Sequence, residues 1–336
     1  MKRTKRVLGL ALAAVMCMGL LAGCGGTPSN SDTADETSGT ETSEKVLNIA
    51  TIGETTTLSP LYMIADNRPT QKLLYEGLVK YVDGEIQPVL AEDWELSEDG
   101  TQLTFYLRQG VTFHDGEPFN AEAAIANIES WHINPSFASL PGVVNYTNIE
   151  AVDEYTIRLT YDTPYFAYIN DFCWPDVCTM ISPKLITQGD FQTVNGYAGT
   201  GPYVYDEYVA GQYTTFVRNE NYWGEQPYYD KIVAKYIPDN ASRVQALQTG
   251  EIDLIYGSAE LSYEDYNQAT AIEGIEGKFA PSGSTIRNII LNFNGNLADL
   301  SVRQALAYAI DKGAISEGLT YGYEPVADTI VPDGTP

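Results

Sequence analysis

Residues 90–122 read "LAEDWELSEDGTQLTFYLRQGVTFHDGEPFNAE". Leu103, Phe105 and Leu107 alternate with polar neighbours, which is the period of a half-buried strand. The Asp99-Gly100 pair before them marks a turn, and Trp94 to Leu96 reads as the strand entering it. Asn120 then stands where a helix over the following "AEAAIANIESW" needs a cap for its first amides. The stretch therefore predicts strand, turn, strand and capped helix. His114, in the turn "FHDGEP", reads as a solvated loop residue rather than a ligand.

The same alternation runs outward in both directions. "KVLNIATIG" (45–53) predicts a first strand, and "DNRPTQKLLYEGLVKYV" (66–82) a helix, with Pro69 near its start and Leu73, Leu74, Leu78 and Val82 at helical spacing. "EYTIRLTY" (154–161) alternates as a strand. "GTGPYVYDEYVAGQYTTFVRNENYWG" (199–224) predicts two strands joined at Ala210-Gly211. "KIVAKYIPD" predicts a strand, and "NASRVQALQTG" a helix ending at Gly250 before a strand over Ile252–Tyr256. "STIRNIILNFN" (284–294) reads as strand, and "LSVRQALAYAIDKGAI" (300–315) as one helix with an apolar face. Strands and helices alternate without a tandem repeat. That pattern predicts α/β layers in more than one lobe, because about 310 residues exceed one comfortable core.

The N-terminus has a different character. Four of the first six residues are Lys or Arg, and Val7 to Ala22 is apolar but short for a bilayer span. Residues 1–23 thus predict an export signal. Leu21-Ala22-Gly23-Cys24 resembles a bacterial lipobox, in which Cys24 carries the lipid anchor; the alternative is an ordinary signal with an incidental cysteine. Residues 24–44 are rich in Gly, Ser, Thr, Asp and Glu and predict a flexible tether. A lipid-bearing cysteine on such a tether holds a protein at the outer face of a cell membrane without inserting it.

Composition narrows the function. The chain has 19 basic and 45 acidic residues, and four of the basic ones leave with the signal, so the mature chain carries 15 against 45. Such a surface repels phosphate backbones, which excludes nucleic acid as a partner. Cys173 and Cys178 bracket "CWPDVC", where an exported chain permits a local disulfide. Two thiols do not complete a zinc shell, and the two histidines, His114 and His132, form no HExxH pattern, so no metal site and no cofactor are expected. No G-x-S-x-G or nucleophile–histidine pattern appears, and the chain is read as a non-enzyme. A glycoside hydrolase would need two facing carboxylates, but this many acids supply such pairs by chance.

With the 90–122 stretch, four further blocks in order carry a resemblance. They are "GTGPY" (199–203), "FVRNENYWGEQP" (216–227), "IPDNASRVQALQTGEIDLIYG" (237–257) and "SVRQALAYAIDKGAI" (301–315), the last leading into "YGYEPVADTIVP". Together they resemble the family-5 extracellular solute-binding proteins of ABC importers, which carry oligopeptides, dipeptides or nickel chelates. The resemblance implies an α/β, two-lobed, periplasmic-binding-protein-like clamp with an extra domain in its first lobe. Lobe I would comprise 45–71 and 194–281, the extra domain 72–193, and lobe II would start at 282 and be incomplete at 336.

It also implies a monomer that captures a small peptide by lobe closure and delivers it to a membrane permease powered by an ATPase. A nickel or metal-chelate ligand is the alternative within the family. A peptide-sensing surface receptor is the alternative outside transport. In the nickel branch an arginine of the extra domain holds a chelate carboxylate, and Thr179 falls at that place here. The branch's loop aromatic is kept as Tyr62. Arg68 stands where it has an apolar pocket residue, and a guanidinium there would grip a carboxylate terminus. Trp174 and Asp176 are further cleft candidates by the same alignment. Arg218, Asn219, Glu220, Asn221 and Trp223 read as a polar corner that fixes a lobe.

Overall fold

A computed structural model describes residues 44–62, 68–82, 84–174, 177–187, 196–257, 261–279 and 287–327. Cys24, Asp176 and the side chain of Arg68 lie outside the described residues, as do the export signal and all but the last residue of the tether.

Along the chain come β1 (Val46–Thr51), α1 (Arg68–Leu74), β2 (Val79–Val82), β3 (Glu85–Pro88), β4 (Ala91–Leu96) and β5 (Gln102–Leu107). They are followed by α2 (Ala121–His132), α3 (Pro141–Val144), β6 (Tyr146–Asp153), β7 (Thr156–Tyr161) and α4 (Tyr168–Phe172). Next are β8 (Tyr203–Val209), β9 (Tyr213–Arg218), β10 (Lys231–Tyr236), α5 (Asn240–Gln248) and β11 (Leu254–Ile255). The last are α6 (Tyr263–Thr270), α7 (Leu300–Ala309) and α8 (Lys312–Thr320).

The predicted hairpin forms as β4 and β5, antiparallel, with Gly100 at φ 68° in the turn. It belongs to a four-stranded antiparallel sheet in the order β4-β5-β7-β6. Asn120 caps α2 as expected, its side chain accepting from Ala123 N at 3.0 Å. The apolar side of this sheet and of α2 bury each other. Leu103, Phe105, Ile157 and Leu159 meet Ala124, Ile128 and Trp131 in the larger core.

A five-stranded sheet runs β11-β1-β10-β9-β8. β1 is parallel to both β10 and β11, while β9 pairs antiparallel with β10 and with β8, to which it is joined by the expected turn at Gly211, φ 69°. Its core is smaller and gathers Ile49, Phe216, Ile232 and Ala234 with Leu58, Leu74 and Tyr75.

Three expectations for the backbone are corrected. The helix expected over 66–82 ends at Leu74, and Val79–Val82 becomes β2. Gly77 is the reason. It forms an antiparallel bridge with Thr179, and a Cβ there would lie 2.7 Å from the Cys178 carbonyl oxygen. Met180 N donates to Glu76 O at 2.9 Å, so the chain leaves the helix to pair with a remote segment.

The strand expected over 284–294 is not seen in residues 287–294. No described segment pairs with them, and Ile289, Ile290 and Phe293 are exposed. A strand exists only with a partner for its amides and carbonyls. The single helix expected over 300–315 is two. Ile310 takes an extended conformation, and Asp311 recaps the chain by accepting from Ala314 N at 2.9 Å. A short acidic side chain that bonds nearby amides favours a helix start over a helix interior.

Candidate functional site

In open α/β sheets, ligands collect beyond the carboxyl ends of the parallel strands. Residues 52–62 leave that end of β1 and carry Tyr62. Glu54 ties this loop to the β8–β9 turn, accepting from the Tyr208 hydroxyl and from Gly211 N, each at 2.6 Å. Those two donors hold the Glu54 carboxyl below its usual range. Leu58, Ser59 and Leu61 are buried, so Tyr62 emerges half-buried from a packed turn in which its N–H donates to Ser59 O at 3.3 Å.

Trp174 follows α4 and is 46 % exposed. Its carbonyl accepts from Val177 N and Cys178 N at 3.3 and 3.4 Å, which closes the loop that contains it. Neither the Trp174 indole N–H nor the Tyr62 hydroxyl is hydrogen-bonded to a described residue, and no ring contact joins them within the described residues. Both aromatics are thus presented with polar ends unengaged, on separate loops. Thr179, by contrast, is buried against Gly77.

The disulfide considered for Cys173 and Cys178 is not formed. Both are free and buried, and each thiol donates elsewhere, Cys173 to Ile169 O and Cys178 to Asp171 O, both at 3.4 Å. Burial pushes the Cys173 thiol up to about 11 and the Cys178 thiol well above its ordinary value, with the Asp171 charge adding to both. A thiol so placed is a poor nucleophile and a poor metal ligand.

The polar corner read from "FVRNENYWG" is present, and its central partner escaped the sequence. Glu76 is half-buried between α1 and β2. It accepts from Tyr222 Oη at 2.7 Å, Trp223 Nε1 at 2.8 Å and Thr200 Oγ1 at 2.9 Å. Burial raises its carboxyl pKa despite those donors. Arg108 lies over the Trp223 ring at 4.5 Å. Arg218 pairs with Asp230 and Glu220, while Asn219 Nδ2 donates to Gly201 O at 3.1 Å.

His114 is also corrected, since it is half-buried and not a free loop residue. Gly199 N donates to its Nδ1 at 3.2 Å, and its Nε2 meets Gly201 O at 3.0 Å. That pairing fits only the neutral ring with its proton on Nε2. Burial, the largest influence, lowers its pKa in agreement. On its other side position 199 needs a glycine to pass the end of α1, because a Cβ there would sit 2.0 Å from Leu74 O. The sequence signal was the "GTGPY" block itself, whose glycines mark a close backbone approach.

Among the described residues no cluster of His, Cys, Asp and Glu is arranged to hold a metal, and no helix is long and apolar enough to cross a membrane. The site's resources are aromatic faces, unengaged hydrogen-bonding groups and the ends of parallel strands.

Comparison with known proteins agrees with this architecture. The model of the bacterial extracellular solute-binding proteins, family 5 middle region, matches residues 85–336. The nickel-binding periplasmic protein of Escherichia coli K12 is 34 % identical over 291 residues, covering 83 % of this chain and 54 % of that protein. The glutathione-binding protein GsiB of Pectobacterium atrosepticum is 31 % identical over 299 residues, covering 85 % and 56 %. Among solved structures, NikA from Brucella suis in complex with Fe(III)-EDTA superposes with a TM-score of 0.80 at 34 % identity, covering 87 % of this chain and 60 % of that one. The chain spans about half the length of the curated relatives it matches.

Proposed function

The chain belongs to the family 5 bacterial extracellular solute-binding proteins, whose α/β fold is a two-lobed clamp, and from that premise we propose that it is the ligand-capturing subunit of an ABC importer. In this reading a small peptide bridges the two lobes and stabilises their closed state. The closed form then docks on a membrane permease whose partner ATPase supplies the energy. Residues 45–71 and 194–281 form lobe I, 72–193 the extra domain, and 282 onward enters lobe II. Tyr62, Arg68, Trp174 and Asp176 are its ligand contacts, the protein works as a monomer, and Cys24 is its lipid anchor at the outer face of the membrane.

The observation that carries the peptide class is Thr179. A buried, neutral side chain occupies the place where the resemblance puts the chelate-holding arginine of the nickel branch. Without that cation a metal chelate loses its charge partner, whereas an extended peptide is held largely through its own backbone. Support for the family's ligand-bridging role comes from the unengaged polar ends of Tyr62 and Trp174. The second reading, a nickel or other metal chelate, is favoured by the 34 % identity to the nickel-binding relative.

Native mass spectrometry of the protein purified from its own source, followed by calorimetry with dipeptides, reduced glutathione and nickel–histidine, tests both. A retained or titrating peptide is the expected result. Binding of the metal complex alone replaces the ligand class, and turnover of a glycoside by pure protein overturns the transport reading.

A further inference from the structure

The chain crosses between the two apolar cores three times, and buried side-chain amides hold two of the crossings. Leu58 packs in the smaller core and Leu61 in the larger one. Tyr75 and Leu78 make the same passage around Glu76, and Met180 and Ile181 make it in reverse. A buried backbone carbonyl at such a passage needs a donor, or the segment is driven towards water.

Two side-chain amides serve the turn that ends in Tyr62. Gln71 Nε2, in α1, donates to Ser59 O at 2.8 Å. Asn134 Nδ2, just past α2, donates to Leu61 O at 2.9 Å. Asn134 is itself fixed, because its N–H donates to Trp131 O and its Oδ1 accepts from Ser136 N, each at 3.0 Å. With the oxygen engaged by an amide donor, only the nitrogen is left to face Leu61. Two helical turns earlier, Asn127 clasps the return crossing: it donates to Ile181 O at 2.8 Å and accepts from Ile181 N at 2.9 Å. α2 and the residues just past it therefore grip two of the three crossings, one leading into Tyr62 and the other following the loop of Trp174.

We infer that Asn134 is a positioning residue for Tyr62, fixing the turn at the carboxyl end of β1 to the four-stranded sheet through the Leu61 carbonyl. Its importance for ligand capture rests on the reading of Tyr62 as a ligand contact; its effect on the turn does not. The test uses the full chain carrying 3-fluorotyrosine at position 62, with Asn134→Ala, the isosteric Asn134→Asp, donor-free once ionised, and Asn127→Ala as a control. Loss of one buried hydrogen bond should speed amide exchange in residues 58–62 by about five- to tenfold in both Asn134 variants. The Tyr62 fluorine line should change while exchange in β5 stays as in the wild type. Asn127→Ala should leave 58–62 unaffected and loosen 179–182.

Unchanged exchange and an unchanged fluorine line in Asn134→Ala overturn the assignment. So does a loss of protection equal in 58–62 and β5, which would mark a general packing role. Adding reduced glutathione or nickel–histidine to the wild type tests the other reading separately. A line unmoved by either probe counts against Tyr62 as their contact, while the exchange data still decide Asn134.

Discussion

The Trp223 indole N–H donates to Glu76 Oε2 at 2.8 Å across 147 residues of sequence. The same carboxylate takes the Tyr222 hydroxyl and the Thr200 hydroxyl, so one half-buried acid satisfies three donors from the two blocks that follow it in the chain. Glu76→Ala leaves those donors without an acceptor and should cost about 2–4 kcal/mol in urea unfolding. A variant as stable as the wild type would remove Glu76 from the joint.

The pH dependence of this group has a definite sign. Burial raises the Glu76 carboxyl above 4.5, so the folded chain holds the proton more tightly than the unfolded one. Its contribution is complete below pH 4.5 and is lost as pH rises through the raised value. Relative to Glu76→Gln, wild-type stability should therefore fall as pH increases from about 4.5. Parallel curves for the two proteins would contradict it.

His114 has the opposite slope. Its pKa is lowered, because burial disfavours the imidazolium by more than the Gly201 and Tyr197 backbone and the Asp115 charge favour it. The contribution is present above pH 6.5 and is lost as pH falls through the depressed value. Wild-type stability should drop on acidification below that point, and His114→Gln should lack this component. Nitrogen NMR should find the Nε2–H tautomer at neutral pH; a ring protonated at Nδ1 would break the proposed pairing.

Two glycines should respond in opposite ways. Gly199→Ala drives a Cβ onto Leu74 O and should destabilise the chain by about 2 kcal/mol or more. Gly318→Ala, in α8 with nothing within 4 Å of the added carbon, should be neutral or stabilising by about 0.5–1 kcal/mol. Thermal unfolding of the pair reads both.

Cys173 and Cys178 should resist alkylation by iodoacetamide in the native chain and react readily in urea, since both are buried with raised pKa values. Peptide mapping follows each site. A mass two protons short across residues 173–178 would show the disulfide that the structure lacks.

Cys24→Ala should release the protein into the medium with an unchanged circular dichroism spectrum. A variant that stays on the membrane rules out the lipid anchor.

Local chemistry was legible in the sequence alone. Alternation over Leu103, Phe105 and Leu107, the Asp99-Gly100 turn, the Asn120 cap and the Gly211 turn each depend on neighbours a few residues away, and all formed as read. The ordered blocks identified the family for the same reason, since they record where glycines, caps and strands must fall.

Tertiary structure decided the rest. A helix pattern over 66–82 yields after Leu74 because Glu76 and Gly77 are claimed by Met180 and Thr179. His114 looks solvated until Gly199, 85 residues on, closes over it, and Asn134 meets the Leu61 carbonyl, 73 residues back, only in the folded chain. Periodicity and turn residues report energies between near neighbours. A buried hydrogen bond between distant segments leaves no local trace, because its donor and acceptor meet only when both cores have packed.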